Sequence, residues 1–246
     1  MAKIRLKGKG ASVEISKCEN IKVLECQRNL RLLNKQCFYY NGMQYKHQAF
    51  ITISSGKPMV MRKQAVVWMA GAINEEPAVH RIIDFATDKL LPVCVINSSS
   101  WHLHCGEGAI MLESKGAYLS AELLSAWEDF MLLADFILAY DGNAKVRSRI
   151  FRNGADMQGY GSHYMQVRGN GALLLGLPCA KDELMLVELT DEELKVKSDI
   201  VMAWSSALSF HVERSFIDVA ERNGREIRYI NVFKGTGSIL LLQTQF

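Results

Sequence analysis

A chain of 246 residues that is 49% hydrophobic can bury a sizeable core as one domain, and 22% charged residues with four prolines exclude a disordered polymer. The net charge of +3 is uneven: residues 1–35 hold nine Lys or Arg against three Glu, and the remainder is slightly acidic. No apolar run approaches the roughly 20 residues of a membrane-spanning helix, and six cysteines with no Cys-x-x-Cys pair suit reduced thiols in a cytoplasmic protein.

Taken in chain order, Lys3-Ile4-Arg5-Leu6-Lys7 alternates strictly, with two apolar residues on one face and three cations on the other. Ser12–Ile15 and Ile21–Glu25 read as further strands, so residues 1–37 form a basic β extension. Its cations suit either a nucleic-acid contact or an edge strand guarded by lysine. The lack of interleaved aromatic residues favours the guard. Residues 38–246 read as a single β domain. Within it, Phe38-Tyr39-Tyr40 before Asn41-Gly42 signals a hairpin, and Ala49–Ile53 is a strand before Ser54-Ser55-Gly56. Met59, Met61, Trp68 and Met69 read as core filler. One short helix is expected over residues 77–90: Pro77 suits a first turn, and Val79, Ile82, Ile83, Ala86 and Leu90 share a helical face. Farther on, Asp191-Glu192-Glu193 reads as a solvated turn before the alternating Leu194–Ser198, and Phe210–Glu213 as a strand.

One motif is written three times. Gly106-Glu107-Gly108 precedes Ala109-Ile110-Met111-Leu112; Gly169-Asn170-Gly171 precedes Ala172-Leu173-Leu174-Leu175; Gly235-Thr236-Gly237 precedes Ser238-Ile239-Leu240-Leu241. The steps are 63 and 66 residues, the mark of a repeat architecture. A phosphate-cradling loop needs a third glycine and a following helix. Neither is present, so the six glycines read as structural turns before strands buried on both faces. A second element recurs as Phe136–Tyr140 and Ile200–Trp204, with a looser copy at Ala65–Met69. Three β-sandwich units around a pseudo-threefold axis are expected, one of them completed by the two ends of the chain.

The densest cluster of chemistry-bearing side chains is His102, His104 and Glu107. Two histidines at i and i+2 on a strand point the same way, and imidazoles with a carboxylate are a divalent-metal set. The spacing is similar to the first motif of the cupins, but the glutamate follows too soon and the cupins' partner motif is not found in order. Histidines satisfied within the protein or exposed on its surface are the simpler expectation.

With the repeats laid out, the chain resembles the Altered-Inheritance-of-Mitochondria family, member twenty-four. The likeness is carried by Val67-Trp68-Met69-Ala70-Gly71, by the segment Gly169 to Glu213, and by the closing Leu240-Leu241-Leu242-Gln243-Thr244, over about residues 38–246. The resemblance implies a β-sandwich fold like that of the tryptophan RNA-binding attenuation protein. It transfers no catalytic residue and no RNA contact. The resulting expectation is an all-β, non-enzymatic binding or scaffold protein with no cofactor, a possible homo-oligomer with an unknown protein partner. A nucleic-acid binder using the basic segment and a cupin-like metal-dependent enzyme at His102 and His104 are the alternatives.

Overall fold

A computed structural model of the chain describes residues 12–28, 44–78, 82–84, 101–113, 118–150, 163–197, 200–219 and 224–243. They are nearly all β. The strands are β1 (Ser12–Cys18), β2 (Ile21–Arg28), β3 (Gln44–Ile53), β4 (Met59–Arg62), β5 (Val66–Pro77) and β6 (Ile82–Asp84). Next come β7 (Trp101–Glu113), β8 (Tyr118–Leu123), β9 (Phe130–Leu133), β10 (Ile137–Asp141), β11 (Lys145–Ile150) and β12 (His163–Arg168). The last five are β13 (Ala172–Leu177), β14 (Leu184–Lys197), β15 (Val201–Ser205), β16 (Ser209–Val219) and β17 (Gly224–Leu242). Short 3-10 turns join several of them, and among the described residues no longer helix occurs.

The strands make two sheets. One runs β1-β2-β3-β7-β4-β10-β13-β8, with β5 added to β7; the other runs β14-β17-β15-β9-β12-β11-β6, with β16 added to β17. The first curls into a nearly closed barrel. Its interior is filled by Ile21, Val23, Ile51, Ile53, Met59, Met61, Ile110, Leu112 and Leu174. A second core lies between the sheets, where Trp101, Tyr140, Leu173 and Leu175 meet Leu132, Met165, Trp204 and Phe233. The run Leu173-Leu174-Leu175 is thus buried on both faces, because alternate side chains of β13 enter different cores. Trp204 anchors the second core, its ring centroid 4.6 Å from Tyr164, 4.9 Å from Phe210 and 5.4 Å from Phe233.

The barrel closes where β8 reaches back to β1 and β3, and side chains hold this seam. Ser16 Oγ donates to the Ala121 carbonyl at 3.4 Å, and the Leu119 N–H donates to His47 Nδ1 at 3.0 Å. His47 Nε2 lies 3.5 Å from Glu25 Oε2, which directs the ring. His47 ends the interior row of β3 that continues through Ala49, Ile51 and Ile53. Replacing His47 by alanine leaves the buried Leu119 N–H without an acceptor, at a cost of about 1–3 kcal/mol. Asparagine, which keeps an acceptor near the Nδ1 position, is expected to recover most of that in urea unfolding.

Two sequence expectations change. The helix over residues 77–90 is not formed by its described part: Pro77 closes β5, and Ile82–Asp84 is a strand paired in parallel with Ser148–Ile150. β-Branched Ile82 and Ile83 suit extended backbone, and β11 supplies backbone partners that outweigh a helical periodicity. Residues 79–81 and 85–90 lie outside the described residues, as do Lys3–Lys7 and the Asn41-Gly42 turn. The acidic turn is a bulge within one long strand, β14, with Asp191 at φ +56°.

The meeting of the chain ends also gives way to a different pairing. Each aromatic strand pairs with the Gly-x-Gly strand that follows it, with the same register shift. Val66 and Trp68 face Leu112 and Met111; Ile137 and Ala139 face Leu175 and Leu174; Val201 and Ala203 face Leu241 and Leu240. The closing strand β17 pairs with β14, β15 and β16. The two halves of each pair are therefore far closer in sequence than the two ends of the chain, which is the cheaper closure because the segment between them is shorter.

Candidate functional site

On β7, His102 and His104 share a face with Ile110 and Leu112, and they lie opposite Met61 and Met59 of β4. On the other edge of β7, Glu75 of β5 stands opposite His104. The Glu75 carboxylate reaches diagonally to His102, with Oε1 2.5 Å from Nδ1, and Lys63 Nζ lies 4.0 Å from the same oxygen. His104 is 1% exposed. Its Nδ1 is 3.1 Å from the His102 carbonyl oxygen, and the Met59 backbone also bonds the ring. Glu107 sits at an odd position of β7, facing away from both histidines, and is exposed. The structure therefore joins His102 to Glu75 and leaves Glu107 apart. Among the described residues no three His, Cys, Asp or Glu are placed to hold a metal ion. What the sequence concealed is Glu75, which comes from another strand through a register that no local pattern encodes.

Burial pushes the His104 imidazole below the ordinary histidine range, and the Glu75 charge offsets this only in part. Above the unfolded value of about 6.5 the ring is neutral in both states. As pH falls below that value the unfolded chain takes up a proton that the folded chain resists, so stability is lost. Urea unfolding midpoints are expected to drop between pH 7.5 and pH 5.5, and His104→Leu to flatten that dependence. A dependence unchanged in the variant would assign it elsewhere.

Of the three copies of the Gly-x-Gly motif, only one lies outside a strand. Gly106 and Gly108 are inside β7, Gly235 and Gly237 inside β17, while Gly169 and Gly171 lead into β13. The second glycine of each copy packs against the residue that follows the aromatic run: Gly108 on the Ala70 carbonyl, Gly171 on the Asp141 side chain, Gly237 on the Ser205 side chain. Those partners are themselves engaged, Asp141 Oδ1 accepting from the Asn143 N–H and Ser205 Oγ from the Ser238 N–H, both at 2.9 Å. A side chain at the second glycine has no room in any copy.

The family model described as Mitochondrial biogenesis AIM24 matches residues 42–245. The chain belongs to this family. Its fold is similar to that of protein SPYM3_0169 from Streptococcus pyogenes, known from an X-ray crystal structure. That likeness has a TM-score of 0.54 and 16% identity, over 81% of this chain and 89% of that one. At such identity the likeness speaks for the fold alone. No curated protein matches the chain. The AIM24 match begins just ahead of β3, yet the described strands before it are part of the same core: Ile21 and Val23 of β2 are fully buried beside Ile51. Among the described residues no helix is long and apolar enough to cross a membrane.

Proposed function

We infer that this AIM24 chain is a non-enzymatic binding or scaffold protein of the cytoplasm, acting through protein–protein contacts that include contacts between its own copies. The observation that carries this reading is a pair of long open strand edges. Among the described residues, β5 pairs with β7 alone and β14 with β17 alone. A strand edge of 12 or 14 residues is a row of unmet backbone donors and acceptors, which proteins otherwise shorten, charge or cover. These two edges also carry apolar side chains into water: Val67 and Met69 are 52% and 44% exposed, Met185 and Leu186 49% and 54%. The family description names mitochondrial biogenesis, a process rather than a reaction.

Native mass spectrometry on protein purified gently from its own source tests the reading. A mass at a multiple of the chain, or with a protein partner attached, is the expected result. Stoichiometric divalent metal lost in the His102→Ala, His104→Ala double variant would replace it with the metalloenzyme reading. Nucleic acid released by salt and by deletion of residues 1–35 would replace it with the nucleic-acid reading.

A further inference from the structure

The first half of the evidence is a joint that the chain makes twice. Met61 lies five residues before Val66, Leu132 five before Ile137, and Val196 five before Val201. These are equivalent places, since Val66, Ile137 and Val201 open strands with the same register shift against their Gly-x-Gly partners. The strand β4, which holds Met61, pairs antiparallel with β10: Met61 lies opposite Ala139, Val60 opposite Tyr140 and Met59 opposite Asp141. The strand β9, which holds Leu132, pairs in the same way with β15: Leu132 lies opposite Ala203, Met131 opposite Trp204 and Phe130 opposite Ser205. In each joint the strand leading into one aromatic strand pairs with the next aromatic strand along the chain.

The second half is what remains. Two partners of this kind are left over, one at each end of the series. Among the described residues, the Leu194–Lys197 end of β14 leads into β15 and pairs with no following aromatic strand, and Val66–Ala70 of β5 pairs with no strand on its outer edge. They do not pair with each other in the chain. Val67 and Met69, both exposed, lie within the leftover β5 segment, while the exposed Met185 and Leu186 lie at the other end of β14.

We propose that Leu194–Lys197 of one copy pairs antiparallel with Val66–Ala70 of a second copy, repeating the joint already made twice within the chain. This rests on the scaffold reading above and adds its partner and register. The shared register places Val196 opposite Trp68, Lys195 opposite Met69 and Leu194 opposite Ala70. Both existing joints are three residue pairs long, so the ladder ends before Glu75 and Glu76 of β5 meet the acidic bulge of β14. The contact joins two different surfaces and therefore builds a head-to-tail assembly, a ring where the rotation closes and a filament where it does not.

The test uses full-length chains carrying either Met69→Cys or Lys195→Cys, one of them isotope-labelled, mixed and treated with a short bismaleimide. Peptide mass spectrometry then reads linkage between positions 69 and 195 apart from any at the native cysteines. Linkage between a light and a heavy copy is expected. In a third chain that carries both Met69→Cys and Lys195→Cys, linkage confined to one chain would overturn the second copy as occupant. Assemblies that form with no linkage between these positions would overturn this joint and leave the scaffold reading standing; monomers alone at every concentration would overturn both. As a second measure, Met69→Lys places a charge at an already exposed position. It is expected to keep the native circular dichroism while raising the concentration needed for assembly at least tenfold, and an unchanged assembly would overturn the joint.

Discussion

Gly106→Ala is expected to be the most damaging single methyl addition in the Gly-x-Gly strands. Gly106 sits inside β7 at φ +120°, and an added Cβ would fall on the Ala72 carbonyl oxygen of the neighbouring β5. Holding a non-glycine residue in such a region costs roughly 1–3 kcal/mol. The clash adds roughly another 1–3 kcal/mol, because backbone is on the receiving side and neither strand can swing away without breaking the β5–β7 ladder. The sum, about 2–6 kcal/mol, is a large part of the 5–15 kcal/mol that holds an ordinary domain together. Gly56 provides the control. It has φ +93° with nothing within 4 Å of its added Cβ, so Gly56→Ala carries the backbone cost alone. Urea midpoints of the two variants should differ by the clash. Equal losses would mean that β5 yields at no cost.

Arg62→Met is the second. Arg62 ends β4 and holds the turn between β9 and β10. Its Nε donates to the Ile137 carbonyl at 2.9 Å and its Nη2 to the Ala134 carbonyl at 2.6 Å, while the guanidinium lies 4.7 Å over the Trp101 ring. The side chain is only 15% exposed. Burial alone would push the guanidinium below its ordinary range, and nearby Asp135 partly offsets this. Removing the charged donor takes a charged hydrogen bond from each of two carbonyls, of which Ala134 still accepts the Ile137 N–H, at a cost of about 3 kcal/mol, with hydrogen bonds to charged groups near 1.5–3 kcal/mol each. Arg62→Lys keeps a charge but not the fork, and should lose about half as much. Asp135 is half exposed, so Asp135→Ala is expected to change stability by less than about 0.5 kcal/mol. A large loss in that variant, with a small one in Arg62→Met, would place the clamp in the ion pair instead.

The parts of the fold that were legible in the letters are those set by local pattern. Alternation marked the Leu194–Lys197 end of β14 and the Phe210–Glu213 part of β16, because Leu194, Val196, Phe210 and Val212 pack on the core while Lys195, Lys197 and His211 are exposed. The unbroken Leu173-Leu174-Leu175 announced burial on both faces, which β13 fulfils between two cores. The helix near residues 77–90 failed for a related reason. A short apolar periodicity fits helix and strand alike, and the parallel partner of Ile82–Asp84 lies 66 residues downstream at Ser148–Ile150. The candidate site was half legible. His102 and His104 share a face as their spacing requires, but the carboxylate is Glu75 rather than Glu107, since Glu107 differs from the histidines in parity and Glu75 arrives only through the β5–β7 register.

By itself, then, the sequence determined the all-β class and the three Gly-x-Gly strands, and its motifs carried the resemblance to the family. The first two follow from residue type and short-range periodicity. Tertiary structure alone decided which strands became neighbours. It curled one sheet into a near-barrel sealed by His47, paired each aromatic strand with the glycine strand after it, and left β5 and β14, among the described residues, with one partner strand each. Pairing is a choice among many edges with similar backbone chemistry. It is settled by which combination buries the most side chains at once, and no single stretch of sequence carries that information.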